Sequence, residues 1–200
     1  ISNPIVKKQH IIFEQLTFIG YDYIKSEERE NKDSVVHFFL DDYKFEVLWN
    51  HPEPRLEKLK QYKAVLTPQY SLYTEMPITL QIYNTFRNRW VGAYLQSNGI
   101  TVIPTMCWGE PQSFWFCFDG VEVGSCVAVS TVGVRKEKTL FMQGYEEMLK
   151  CLQPESIICY GEPFEEMNGN VVTVDYEETN HLSKWAALFA VKKFCRRIIV

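Results

Sequence analysis

The chain has 200 residues, 46% of them hydrophobic and 23% charged, a balance that suits one ordinary domain with its own core and excludes wholesale disorder. Its formal net charge of −4 and pI near 5.6 give no global pull toward nucleic acid or an anionic membrane, so a polyanion would have to be held by a local basic patch. Six cysteines without a CxxC pair and four scattered histidines offer no metal-ligand spacing, and no apolar run approaches the roughly 20 residues that cross a bilayer.

From the N-terminus, ISNPIVKKQH lacks the apolar core of a signal peptide, which together with the reduced-thiol reading of the cysteines predicts a cytoplasmic protein. Residues 11–24 are rich in aromatic and β-branched types and have room for a strand, whereas the charged run 25–34 (KSEERENKDS) reads as an exposed loop or helix end. Asp41–Trp49 and Glu53–Gln61 read as two short helices broken by Pro52 and Pro54. Lys63–Thr67 is then a strand closed by Pro68, and Pro77–Gly99 a long helix. Thr101–Pro104, Cys126–Thr131, Ser156–Tyr160 and Val171–Asp175 complete a set of short apolar strands. Between them lie a short aromatic helix around Pro111–Phe118 and an amphipathic helix over Glu137–Leu152.

Short apolar strands alternating with helices predict an α/β fold: a mainly parallel sheet of four to five strands with helices on both faces, open and doubly wound or partly barrel-like. The expected organisation is one domain, with an N-terminal extension (1–62), a core α/β unit (63–176) and a C-terminal helix (177–200). The end of that helix, KKFCRRIIV, mixes four cations with apolar residues and suggests either docking on the body or self-association.

Parallel sheets bind ligands at the carboxyl ends of their strands, where loops and helix N-termini converge. That rule selects Gln69 and Ser71, Trp108 and Glu110, Ser130 and Thr131, and Tyr160 as ligand-binding candidates, with Arg135, Lys136 and Lys138 as a phosphate patch. At 100° per residue, Ile78, Ile82, Phe86 and Ala93 form the apolar stripe of the long helix, and Arg89 falls inside it. A guanidinium there needs a carboxylate such as Glu110, Asp119 or Asp42, or an anion in a cleft; Arg87 lies further round. No GxSxG, P-loop, GxGxxG or HExxH motif is present, no metal site or cofactor is implied, and whether the site turns anything over stays open.

The stretches LTPQYSLYTEMP, QIYNTFRNRWVGAYLQSNGITVIPT, WGEPQSFWFCFDG, GSCVAVSTVGV and IICYG together resemble the family of Domain of Unknown Function 4417. The resemblance implies a setting in phages and mobile elements of Gram-positive bacteria and supplies no reaction. It also implies an Asp in a TPDxS stretch where Gln69 stands here, so that an activity needing that acid would be lost and binding retained. Two readings follow. One is a binding, or catalytic, site for a nucleotide or nucleic-acid component at the strand ends. The other is a non-catalytic protein that acts on a host or defence protein.

Overall fold

Seven short runs of apolar and β-branched residues pair side by side, every pair parallel. They are β1 (Thr17–Gly20), β2 (Ser34–His37), β3 (Ala64–Leu66), β4 (Val102–Ile103), β5 (Cys126–Ser130), β6 (Ser156–Tyr160) and β7 (Val171–Val174). This computed structural model describes residues 2–12, 17–24 and 33–174. The helices are α1 (Val47–Asn50), α2 (Leu56–Leu59), α3 (Ile78–Ser97), α4 (Phe114–Cys117) and α5 (Lys138–Leu152). The C-terminal helix expected over 177–200 lies outside the described residues.

The strands follow chain order without reversal, β1-β2-β3-β4 in one sheet and β5-β6-β7 in the next. The two are joined at Thr105 and Ala128, where Ala128 N–H donates to the Pro104 carbonyl at 2.9 Å and Met106 N–H to the Ala128 carbonyl at 2.7 Å. In a flat sheet β2 and β6 would stand four strand spacings apart, roughly 19 Å. Yet the rings of His37 on β2 and Tyr160 on β6 have centroids 4.9 Å apart. The sheet therefore curls on itself, and the barrel-like alternative holds over the open, doubly wound one.

Curling changes the expected layering. Alternate residues of β5 and β6 go to different cores: Cys126, Ala128, Ile158 and Tyr160 pack with Val35, Leu66 and Ile103 of the first sheet. Val127, Val129, Ile157 and Cys159 instead pack with Phe141, Tyr145, Met148 and Leu152 of α5. Helices on both faces were expected; on this sheet α5 covers one face and strand side chains fill the other. The strand count is also higher than expected, because β1 and β2 precede Lys63 and extend the same sheet from β3. Glycine lets one helix come close: a Cβ on Gly92 of α3 would stand 2.6 Å from Thr67 Cγ2 and 2.8 Å from Val6 Cγ2.

Candidate functional site

Below the barrel mouth, the buried face of α3 is unusual in being polar. Gln81, Asn84 and Asn88 recur at helical spacing along it, and each aims its amide at the loop that follows β3. The Asn88 amide donates to the Pro68 carbonyl at 2.7 Å, the Asn84 amide to Ser71 at 2.7 Å, and the Gln81 amide to Met76 at 2.8 Å and Tyr73 at 3.3 Å. Ser71 is held from the other side by Asp42, which accepts from its amide at 3.1 Å and its hydroxyl at 2.9 Å. Buried polar groups satisfied in this way fix one geometry. Residues 68–76 are thereby set across the mouth.

Two adjoining clefts open there. The first, about 230 Å³, is lined by Met106, Cys107 and Trp108 after β4, Tyr73, and Leu140 and Phe141 of α5, among others. The second, about 370 Å³, is lined by Phe38, Phe39, Asp41 and Lys44 beyond β2, Ser71, and Tyr160 at the end of β6, among others. Gln69, Ser130 and Val132 line both. Trp108 is held rigidly, its ring 5.1 Å from that of Phe141 and its Nε1 only 2.1 Å from where a Cβ on Gly144 would stand. The second cleft has an aromatic floor in which Phe39 stacks on Tyr160 with centroids 4.4 Å apart and planes at 17°.

Between the clefts, the Gln69 amide nitrogen donates to the Cys107 sulfur at 3.6 Å, a weak contact, and its carbonyl oxygen is buried without a partner among the described residues. Burial pushes the Cys107 thiol up to about 12, against the smaller opposing pull of the Gln69 amide, so it stays protonated at neutral pH.

A family model described as Domain of unknown function (DUF4417) matches residues 4–177. The chain belongs to this family. It is 50% identical over 131 residues to the Gene 1 protein of Mycobacterium phage L5, an alignment that covers 64% of this chain and 57% of that protein. It is 46% identical over 130 residues to the Gene 1 protein of Mycobacterium phage D29, covering 64% and 48%. The chain thus spans about half the length of the curated relatives it matches, and no solved structure matches it.

In this DUF4417 chain the sequence candidates separate into three groups. Gln69, Trp108 and Ser130 line the first cleft, and Gln69, Ser71, Ser130 and Tyr160 the second. Thr131 is buried behind the mouth, donating to the Glu162 carbonyl at 2.8 Å, and Glu110 is exposed with its carboxylate bound by the Gln112 amide. The basic residues are engaged elsewhere. Arg135 reaches Glu162, Lys138 reaches Glu166 at 2.7 Å, and Lys136 stands exposed in the turn before α5. Arg87 makes a two-oxygen contact with Glu46 at 2.7 and 3.0 Å and lies 3.9 Å over the Tyr70 ring.

Arg89 is 2% exposed, and among the described residues no carboxylate oxygen hydrogen-bonds to its guanidinium. Its guanidinium donates to the main-chain carbonyls of Cys117 at 2.6 Å and Asp119 at 3.0 Å, and to the Asn88 side chain. The Asp119 carboxylate is bound instead by the amide and side chain of Asn3. Desolvation lowers the Arg89 pKa to about 10, which still leaves it charged at neutral pH. The planar fork of arginine can serve several carbonyls at once, so the charge is held without a direct ion pair, with the nearby Asp119 carboxylate acting through space. Sequence reasoning missed Phe39, Asp41 and Lys44 as lining residues, because β2 had been hidden behind the charged run before it. Leu140 and Phe141 were read only as the apolar face of an amphipathic helix.

No helix among the described residues is long and apolar enough to cross a membrane, and among them no cluster of His, Cys, Asp and Glu could hold a metal ion. Cys117, Cys126 and Cys159 are buried free thiols, Cys107 is partly buried and Cys151 exposed.

Proposed function

We propose that the barrel mouth binds a small planar heterocycle of the nucleobase type, and that it binds rather than transforms it. The observation that carries this reading is the Gln69 amide. It lines both clefts, spends its nitrogen on a weak sulfur contact and leaves a buried oxygen unpartnered. A rotation of the side chain that gives up only that sulfur contact offers a ligand a donor and an acceptor together, the pair that a nucleobase edge complements. Apolar walls from Trp108, Met106, Phe141 and Leu140 suit the faces of such a ring. Two features favour binding over turnover: the Cys107 thiol is protonated, and among the described residues Glu137 is the one carboxylate lining the first cleft.

Adenine, guanine, cytosine and uracil, each titrated calorimetrically into the protein, test the reading. At least one should bind, and Gln69→Leu should weaken it on the order of tenfold or more, the loss of a hydrogen-bonding pair to a buried ligand. If none of the four binds, or if Gln69→Leu leaves the affinity intact, the reading fails.

A second reading, contact with a protein partner, draws on Trp115 of α4, which is 67% exposed. Surface tryptophans are enriched among the anchors of protein interfaces.

A further inference from the structure

The second cleft carries an inference that rests on the reading above and narrows it. We propose that this cleft is a sugar subsite, so that the ligand class is a neutral nucleoside, base in the first cleft and ribose in the second, and that a 5′-phosphate is excluded.

Three observations support it. The clefts share Gln69, Ser130 and Val132, so they lie side by side along those residues, within the span of one base and its sugar. The floor of the second is the stacked pair Phe39 and Tyr160, an apolar surface of the kind on which the C–H face of a sugar ring packs. Around that floor stand hydroxyl and carboxylate groups, Ser71, Ser130 and Asp41, as a polyol requires.

The charge distribution decides between nucleoside and nucleotide. Among the described residues Lys44 is the one cation lining either cleft, and its ammonium is 2.7 Å from the Asp22 carboxylate. Nearby cations are likewise committed, Arg135 to Glu162, Lys138 to Glu166 and Arg87 to Glu46. Lys136 lines neither cleft. The two acids that line the clefts, Asp41 and Glu137, have no ion-pair partner among the described residues. A phosphate at this mouth therefore meets a net negative lining, Asp41 and Glu137 against Lys44, whose charge Asp22 and Asp41 share, and a ribose hydroxyl meets an acceptor.

The experiment is calorimetric titration of the whole chain with a nucleobase, its nucleoside and its nucleoside 5′-monophosphate, for each of the four common bases. The nucleoside should bind on the order of tenfold tighter than the base, and the monophosphate on the order of tenfold weaker than the nucleoside. Asp41→Asn should bring monophosphate and nucleoside closer together in affinity. A nucleoside that binds no better than its base removes the sugar subsite. A monophosphate that binds as tightly as the nucleoside, or a selectivity that survives Asp41→Asn, overturns the charge argument. In each of those cases the base-binding reading stands. Failure of every base to bind removes the base-binding reading, and failure of every base, nucleoside and nucleotide removes both.

Discussion

Two buried titratable side chains in this molecule are treated in opposite ways. Arg89 keeps its charge because main-chain oxygens and Asn88 surround it. His37 has no solvent exposure, and neither of its ring nitrogens has a partner among the described residues. Rings enclose it, Tyr160 at 4.9 Å and Phe39 at 5.8 Å, and burial lowers its pKa to about 4, with only a partial opposing effect from Asp22. Above about pH 6.5 the imidazole is neutral in both the folded and unfolded chain and contributes nothing to the pH dependence. Below that, the unfolded chain takes up a proton that the folded one refuses. Stability therefore falls as pH drops from about 6.5 to about 4, by up to about 3 kcal/mol. Urea unfolding across that range should show the slope. The slope should flatten in His37→Phe, which keeps the ring stack and removes the titration; equal slopes in the two proteins would show that other groups cause it.

At the scale of elements, α5 and the chain after β4 meet through a single missing side chain. Because a Cβ on Gly144 would fall 2.1 Å from Trp108 Nε1, Gly144→Ala must displace the indole or the helix. It should cost about 1–3 kcal/mol, the usual range for overpacking. It should also shift the tryptophan emission and weaken whatever the first cleft binds; an unchanged emission spectrum would mean that the contact is loose. The same scale shows what was legible in the sequence. β5 and β6 were readable because five consecutive buried or nearly buried residues leave an unbroken apolar run. β2 was not, although all four of its residues are buried, since SVVH follows nine residues dominated by charge and ends in histidine. The long helix was found and its phase was misread. Ile78, Ile82, Phe86 and Ala93 are only partly buried, and the buried face runs through Gln81, Asn84, Asn88 and Leu95. Hydrophobic periodicity locates a face that packs on apolar groups; this face packs in part on carbonyl oxygens, and periodicity is blind to it. The strand-end rule reached Gln69, Ser130 and Tyr160 for a topological reason. Phe39, just beyond the unpredicted β2, and Phe141, on the apolar face of the expected helix α5, had no such rule to reveal them as lining residues.

For the molecule as a whole, the curl of the sheet makes the first strands part of the common core. Val35, Val36 and Phe38 belong to the same packed cluster as Ile103, Ile158 and Tyr160. A chain begun at Lys63 would lose β1, β2 and the helices that contribute Leu48 and Leu59 to that cluster. It would also expose the hydrogen-bonding edge of β3, which now pairs with β2. Such a fragment should aggregate or bind ANS as a loosely packed state, and its thermal transition should lose cooperativity. A fragment that melts sharply and stays monomeric would show that residues 63–174 are self-sufficient.

The grip of α3 on the loop after β3 has a consequence for how such a mouth can change. Gln81, Asn84 and Asn88 hold Pro68, Ser71, Tyr73 and Met76 chiefly through backbone oxygens, atoms that every amino acid carries, with one long side-chain contact from Asn84 to the Met76 sulfur at 3.9 Å. The path of the loop is therefore indifferent to most of the side chains along it. Substitutions at Gln69, Leu72, Tyr73 or Thr74 can reshape the lining of the mouth while the track beneath them stays in place, which gives the surface a ready dial to turn.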